Sequence, residues 1–565
     1  MTNFRRRIGT GDNVKRRDFL KYGAALGLTC GNAKAQESPP ILPPGVKEAS
    51  GRGGDLALVN AKIITLEPNQ PEVAAALVRR GRIVLVGSDA EVKAQALNAT
   101  VFDARGRTIV PGFIDAHAHF EMACCAVAYQ AQCHTPPLQS LREIFDTLRA
   151  HVAKTPKGRW VIGRGGFGFS NLVEEKRFPT RQELDSITME HPMVLYAGFH
   201  VGILNTIALQ ELGLWDAATS KTPRGAVVHR DAAGVPTGVA TEIWPMVPGY
   251  SIEEVKAAIK AHSRDLFTSK GITSIQTLPL WSGDLRADQE LQASGDLPIR
   301  LRAYYHVPKV TSLQGLLDLG LLPGTGDEMF RFGGVKIFID GTGGDGVGHA
   351  SDDLKWTQAE LNQFVSQAHS GGLQLWMHAV THTGIVFACN AVEEAMHRDP
   401  RPLRHRIEHV SRLESIEDIR RIRRLGMLVT ITPSQERKHP IPGRPWGRNF
   451  KTLVEEVINP IAVTDATGTI PIFSPLFGIA SVVAKPDEGG SASEGGNLSF
   501  EDALRMWTIW AARGGFEEQE KGSIAVGKLG DFAVLSADPR GRQGSELFDL
   551  KVQATILGGD VVFGG

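Results

Sequence analysis

The sequence predicts an α/β chain: a parallel barrel carrying a small sheet domain assembled from both chain ends. Two observations predict it. Seven segments in the middle of the chain read as apolar strands, mostly with helical stretches between them: GITSIQT, IRLRAYYHV, GGVKIFIDG, LQLWMHAV, RHRIEHV, MLVTITPS and PIAVTDA. Strand–helix alternation of this kind builds a parallel sheet, and with RTIVPGF as the leading strand eight units argue a barrel. The second observation is that both ends are rich in β-formers: residues 55–66 and 74–86, with a turn at Arg80-Gly81, then 522–537 and 551–563. Neither end has enough strands to stand alone, so the two pair into one domain. Ser499 and Asp502 open the stretch 499–512 as a capping box, so a helix follows. The run GGSASEGG (489–496) reads as a surface loop.

Length and composition agree with a large globular enzyme. The chain has 565 residues, of which 42% are hydrophobic, so it is neither a small module nor disordered. Its 62 basic and 62 acidic residues balance, but residues 1–35 hold eight Lys/Arg against two Asp, which leaves the remainder at −6. An acidic body lacks the positive footprint that a nucleic-acid partner requires. Five cysteines cannot staple a chain this long, and adjacent Cys124-Cys125 with isolated Cys133 and Cys389 lack zinc-cluster spacing. They read as buried free thiols.

Residues 15–21 (KRRDFLK) pair Arg16 and Arg17 ahead of a short, weakly apolar stretch, Tyr22 to Cys30, and the small-residue site Ala33-Lys34-Ala35. This pattern resembles a bacterial twin-arginine signal over 1–35. The expectation is export of the folded protein to the periplasm by the twin-arginine machinery, with a Pro-rich linker over 36–54. The apolar stretch is shorter than the ~20 residues needed to span a bilayer, so no stable membrane anchor is expected.

The sharpest chemical feature is Asp115-Ala116-His117-Ala118-His119. Residues two apart on a strand share a face, so two neutral imidazoles can reach one ion from one strand end. Four further strands each offer one polar residue near the end where barrel active sites lie: Lys336, His378, His409 and Asp465. Lys336 sits inside an apolar strand, where a charged amine is costly.

With those residues in place, the chain resembles the amidohydrolase superfamily, in its amidohydrolase-3 branch of N-substituted formamide deformylase-like and exoenzyme-regulator-like proteins. The resemblance rests on PGFIDAHAHF, HPMVLYAGFHVGILNTIAL, GITSIQ, VKIFIDG, RHRIEHV, the Asp465 strand and GSIAVGKLGDFAVL, over about residues 55–563. It implies a (β/α)8 TIM-like barrel beside a β-sandwich made of both chain ends, here 55–108 and 513–565 around a barrel at 109–512. It also implies a binuclear metal centre held by His117, His119, Lys336, His378, His409 and Asp465, with Lys336 carboxylated. Zinc suits these ligands, with Mn2+ or Fe2+ as alternatives. A carbamate would turn the buried cation of Lys336 into an anionic oxygen ligand.

If Lys336 lies on barrel strand 4, the strand PMVLYAG is left over, and residues 121–250 or thereabouts form an insertion after strand 1. That insertion holds Phe167, Phe169, Phe199, His200 and Trp244, which either line a substrate pocket or form the insertion's own core; His200 also falls in a motif of the family. Two departures stand out. The family reads His-Ala-x-Gly-Asp after strand 5 and this chain reads His378-Ala379-Val380-Thr381-His382; Thr464 replaces the usual Ser before Asp465. The Gly-rich run 341–348 lacks the Lys-Ser/Thr of a phosphate loop.

The expected activity is metal-dependent hydrolysis of a C–N bond in a small amide, formamide or cyclic amide. Attack is by a metal-bridged hydroxide, with Asp465 as proton shuttle and His200 assisting at the carbonyl. Two readings stand beside it: a mononuclear deaminase, against which Thr381 counts because those enzymes carry Glu at that position, and a non-catalytic binding or regulatory protein on the same fold. The sequence leaves the substrate, and a homo-oligomeric state, open.

Overall fold

The computed structural model describes residues 53–564 apart from 167, 342–353, 411–412, 414, 435–449, 457, 467–472, 485–497 and 543–544. The signal-like segment, Phe167, the loop at 489–496 and all but the first residue of the Gly-rich run therefore lie outside the described residues.

Eight parallel strands form the barrel in strict chain order: Phe113–Ala118, Ile272–Thr277, Arg300–His306, Phe330–Phe338, Leu375–Ala379, Arg406–His409, Leu428–Ile431 and Ile461–Ala462. They are barrel strands 1 to 8. Their side chains are buried almost throughout, as a sheet covered by helices on one face and closed on itself on the other requires. The helices between them start where polar caps tell them to. Ser251, Thr357 and Ser415 each accept from the backbone N–H three residues on, while Glu254, Glu360 and Asp418 reach back to the cap. The seam between strands 8 and 1 is closed by the Asp465 N–H donating to the His117 carbonyl at 2.9 Å and the His119 N–H donating to the Ala466 carbonyl at 2.6 Å. Beneath it the Thr464 hydroxyl and N–H both donate to Asp115, at 2.5 and 3.1 Å.

The chain ends build two sheets packed face to face. One has the order 82–87, 75–79, 56–59, 100–103; the other runs 560–564, 552–557, 532–535, 108–111, 62–64, 72–73 and so joins both termini. Leu58, Val78, Ile83, Ile109, Phe532 and Ile556 fill the space between them. This is the β-sandwich that the resemblance implied. The β-rich stretches divide more finely than their composition shows. In 55–66, Asn60 takes a left-handed φ of 53°, which sends each half into a different sheet. RTIVPGF divides in the same way, Thr108–Pro111 serving the sandwich and Phe113–Ala118 the barrel. Residues 522–537 form a strand only over Phe532–Leu535. The turn at Arg80-Gly81 is present, with φ of 47° and 78°, the two left-handed residues that a tight hairpin requires.

Between barrel strands 1 and 2 lies a separate six-stranded mixed sheet, ordered 227–230, 236–241, 201–204, 193–197, 161–165, 131–132. The leftover strand, Met193–Ala197, is one of its central members. The chain leaves the barrel through helix Phe120–Tyr129 and returns through helix Ile252–Leu266. The two legs are held together by the Tyr129 hydroxyl donating to the Glu254 carbonyl at 3.0 Å. Cys124, Cys125, Cys133 and Cys389 are buried free thiols. Among the described residues no helix is long and apolar enough to cross a membrane.

The sandwich meets the barrel through a buried fork: Arg300 of barrel strand 3 donates twice to Asp531, at 2.8 and 2.9 Å, and Asp531 also accepts from the Gly558 N–H at 2.8 Å. Removing one member leaves the other charge buried and unpaired. Asp531→Ala is expected to destabilise the folded protein by about 3–5 kcal/mol, read as an early, sandwich-linked step in denaturant unfolding; an unchanged transition refutes the joint.

Candidate metal centre

The carboxyl ends of barrel strands 1, 4, 5, 6 and 8 place the six expected side chains together. His117 ends strand 1 and His119 follows it at the cap of the outgoing leg helix. Nε2 of His117 and of His119 lie 3.8 and 3.5 Å from one oxygen of Asp465, and ligand atoms of these three groups sit within 4.8 Å of one another. His409 packs against His117 with ring centroids 5.0 Å apart, and His378 against His409 at 4.8 Å. Lys336, one position before the pair Ile337–Met377 in the strand 4–5 register, points its amine over Phe338 at 5.0 Å and Trp376 at 5.9 Å. Among the described residues that amine has no ion-pair partner.

Two of these residues hold unusual backbone. Asp465 has φ of 53° and His409 of 80°. Left-handed φ is uncommon outside glycine and concentrates at functional sites. Here it turns a strand-end side chain inward while the seam bonds hold the backbone.

Burial sets the protonation of the cluster. It drives His117 down to about 3, with the nearby charge of Lys336 adding to it, and His409 down to about 4 despite Asp465. His378 is lowered as well, by burial and by the neighbouring imidazoles. Neutral imidazoles are the metal-ligating form. Burial also lowers Lys336, to about 8, bringing its amine toward the uncharged form that can react with CO2. Burial alone would raise Asp465, but a hydrogen bond from His119 and the facing imidazoles hold it well below the usual carboxylate range. An anion faced by neutral nitrogen donors and an uncompensated amine is a donor set that fits divalent cations.

The site contains residues that the sequence reading missed. Glu408, buried, accepts from His117 Nδ1 at 2.6 Å, from the Thr430 hydroxyl at 3.0 Å and from Arg406 at 2.9 and 3.0 Å. It fixes the His117 tautomer with Nε2 turned to the site. The signal was weak: Glu408 stands between Ile407 and His409, two residues from Arg406, in a strand that already carries other polar groups. Arg406 lies over Trp376 at 4.1 Å, and Trp376 stacks on His117 at 5.0 Å, so the barrel interior beneath the site is a polar-aromatic stack. Asp340, pushed up to about 6 by burial, accepts from the N–H groups of Val380 and Thr381 and from the Thr381 hydroxyl at 2.7 Å. Its Oδ1 lies 3.6 Å from His378 Nε2, which also meets the Gly341 carbonyl at 3.2 Å.

The departure after strand 5 resolves into two parts. Thr381 caps helix His382–Arg398 and binds Asp340. His382 turns outward, its Nδ1 3.6 Å from Asp418 on the next helix, and does not join the strand-end cluster. Thr464 keeps the hydroxyl that binds Asp115.

From the insertion, His200 reaches the cluster, its ring 5.1 Å from His378. Its Nδ1 meets Glu242 at 2.7 Å, and Glu242 in turn pairs with Lys355 at 2.7 Å. Burial would raise Glu242, but these two partners bring it down to about 2. Nothing local in the sequence marks Glu242 or Lys355. Phe199 stacks on His119 at 5.3 Å, and Trp244 packs on Phe199 at 4.9 Å and on His306 at 5.4 Å. Phe169 does not reach the site; it lies in the insertion's own core beside Phe178.

A closed α/β barrel with buried imidazoles, a lysine and a carboxylate converging at its strand ends defines a metal-dependent hydrolase frame. The amidohydrolase family model matches residues 100–563, and the chain belongs to that family, in its amidohydrolase-3 branch. It is 28% identical to an N-substituted formamide deformylase of Arthrobacter pascens over 89% of this chain and 97% of that protein. It is 26% identical to the exoenzymes regulatory protein AepA of Pectobacterium carotovorum, over 57% of this chain and 72% of that one. In fold it is similar to an uncharacterised metal-dependent hydrolase of Pyrococcus horikoshii, with a TM-score of 0.67 at 22% identity, covering 86% of this chain and 99% of that one.

Glu408 makes a specific expectation. Glu408→Gln keeps the shape but exchanges a carboxylate for an amide against His117 and Arg406. Metal affinity should fall about 10–100-fold, measured by competition with a chromogenic chelator; affinity equal to wild type removes Glu408 from the site's support.

Proposed function

We propose that this protein hydrolyses a C–N bond in a small amide, formamide or cyclic amide. The observation that carries the reading is the convergence of an anionic Asp465 with His117, His119, His378, His409 and Lys336 in one buried strand-end cluster. The similarity to a formamide deformylase supports the amide class. Those six side chains would hold two divalent ions, with zinc the best match to imidazole and carboxylate donors, and with Lys336 carboxylated. When bound, such ions supply Lewis acidity and a water of lowered pKa.

The chain's own residues do the rest. Asp465, ionised and held at the barrel mouth by the seam, accepts the proton of the attacking water and returns it to the leaving nitrogen. Glu242 holds His200 through Nδ1, which leaves Nε2 facing the substrate, where His200 assists at the carbonyl oxygen as charge develops on it. Phe199 and Trp244 cover the cluster and exclude water from it.

The test is a panel of N-formyl and N-acyl amines offered to metal-depleted and zinc-reloaded protein. Turnover is expected only after reloading, with two metals per chain; a panel without turnover rejects the reading. Within it, Asp465→Asn should lose ~10²–10⁴-fold in kcat with an unchanged melting profile. A rate within about threefold of wild type moves the proton shuttle elsewhere. Lys336→Ala should lose metal and rate, with acetate restoring part of both because it can supply the missing carboxylate.

We also propose that residues 1–35 direct twin-arginine export and that the mature chain begins near Gln36 in the periplasm, on the pattern Arg16-Arg17 followed by Ala33-Lys34-Ala35. Arg16→Lys with Arg17→Lys should retain the protein in the cytoplasm; export of the double variant disproves the signal.

A further inference from the structure

A small cavity of ≈ 30 Å³ lies where the insertion meets the barrel. Met122, Tyr196, Tyr250 and Trp281 are among the residues that give it a mostly apolar and aromatic wall. Such a volume holds one or two particles the size of water, and a bare halide ion is of that size. The exception in the lining is Arg164.

Arg164 sits on Val161–Gly165, a strand paired on both sides within the insertion's sheet. Only 3% of its surface is exposed. Its Nε donates to the Gln130 side-chain oxygen at 3.0 Å, one terminal nitrogen approaches the Met122 sulfur at 3.9 Å, and the guanidinium lies over Tyr196 at 4.7 Å. A guanidinium has five N–H donors, and these neutral contacts leave most of them unused. Among the described residues no carboxylate pairs with it. Burying a cation without a counter-charge is expensive. The remaining buried arginines avoid that cost: Arg79, Arg82, Arg300, Arg302 and Arg406 each face a carboxylate, at 2.7 to 3.8 Å. Asp284 shares the cavity, but its carboxyl group accepts from the N–H groups of Leu280 and Trp281, at 3.2 and 3.1 Å. Burial, with the charge of nearby Glu121, pushes it up to about 7, toward the neutral acid.

The other polar groups around the cavity are donors too. Gln130 passes the bond on, its Nε2 donating to the Tyr250 hydroxyl at 3.2 Å. The Tyr250 proton then has no acceptor among the described residues, and neither has the Tyr196 proton. Burial pushes both phenols up, so they keep these protons. A water in this place finds donors and few acceptors for its own hydrogens; an anion needs donors only. Hydrogen bonds from a guanidinium to an anion are also the strong, charge-assisted kind.

We infer that this cavity is a binding site for a small inorganic monoanion of the halide type, chloride above all, with Arg164 as its counter-charge and the two tyrosine hydroxyls as further donors. The site is separate from the metal centre, since none of the six strand-end residues lines it. The ion neutralises a buried charge and thereby stabilises the insertion's sheet.

Crystals of the zinc-loaded protein soaked in sodium bromide give the first arm of the test, because bromide replaces chloride and scatters anomalously. A bromide peak is expected beside Arg164 in wild type and none there in Arg164→Met. The second arm is the melting midpoint in sodium chloride against sodium methanesulfonate at equal ionic strength, the sulfonate being too large for the cavity. Wild type should gain about 1–4 °C as chloride saturates the site. Arg164→Met should melt alike in the two salts, and Arg164→Lys, with the charge but fewer donors, should keep part of the gain. Water in place of bromide, or equal melting of wild type in both salts, overturns the inference, and both of these readings hold even where Arg164→Met does not fold. A bromide peak without a chloride-dependent shift marks an adventitious ion only and overturns it as well. So does a chloride shift of equal size in Arg164→Met, which places the ion on the metals or elsewhere.

Discussion

The seam where barrel strand 8 closes on strand 1 is the constraint on which the site depends. The bonds from Asp465 N–H to the His117 carbonyl and from His119 N–H to the Ala466 carbonyl complete the barrel at the point where its chemistry is held. Closure and ligand placement are therefore one event. The backbone at Asp465 cannot move without opening the sheet, and its left-handed φ of 53° is tolerable because the flanking bonds over-determine it. Asp115 secures the same seam from below through Thr464, which explains how an exchange of Ser for Thr costs nothing: only the hydroxyl is used.

Burial then supplies the chemistry that the seam positions. The low dielectric at the strand ends keeps His117, His378 and His409 neutral and weakens the hold of Lys336 on its proton. The same low dielectric would neutralise Glu408 and Asp465, and only specific partners prevent it: Arg406 and His117 for the first, His119 and the facing imidazoles for the second. A relay runs from Arg406 through Glu408 to His117, all buried. It ties the ligand's tautomer to a cation deep in the barrel, out of reach of solvent.

The legibility of the sequence follows from this physics. Strand ends with a single polar residue are visible because the polar residue contradicts its apolar surroundings, and that rule located His117, Lys336, His378, His409 and Asp465. It does not single out Glu408, because its neighbours Arg406 and His409 are polar too. Glu242, Lys355 and Arg164 follow no local rule. Glu242 and Lys355 stand beside elements where a charged side chain is ordinary, and each of the three acquires meaning only from what another part of the chain brings against it. The breaks at Asn60 and between Pro111 and Phe113 were missed for a related reason. β-propensity reports that a residue suits a strand, and is silent on which of two sheets will receive it.

The insertion shows how such residues become usable. It leaves and returns through two helices packed side by side, joined by Tyr129 to Glu254 and by the Tyr129–Tyr250 ring contact at 5.0 Å. Its sheet is thus clamped to the barrel at the very strand end that carries His117 and His119. A flexible flap in that position could offer aromatic cover, but it could not hold His200 at a fixed distance from the strand-end cluster. A sheet anchored at both legs can. His200 and Arg164 sit on or beside its paired strands, His200 at the turn between 193–197 and 201–204 and Arg164 on the neighbouring strand 161–165. The barrel thereby holds the strand-end cluster, and the clamped sheet holds the groups that cover it.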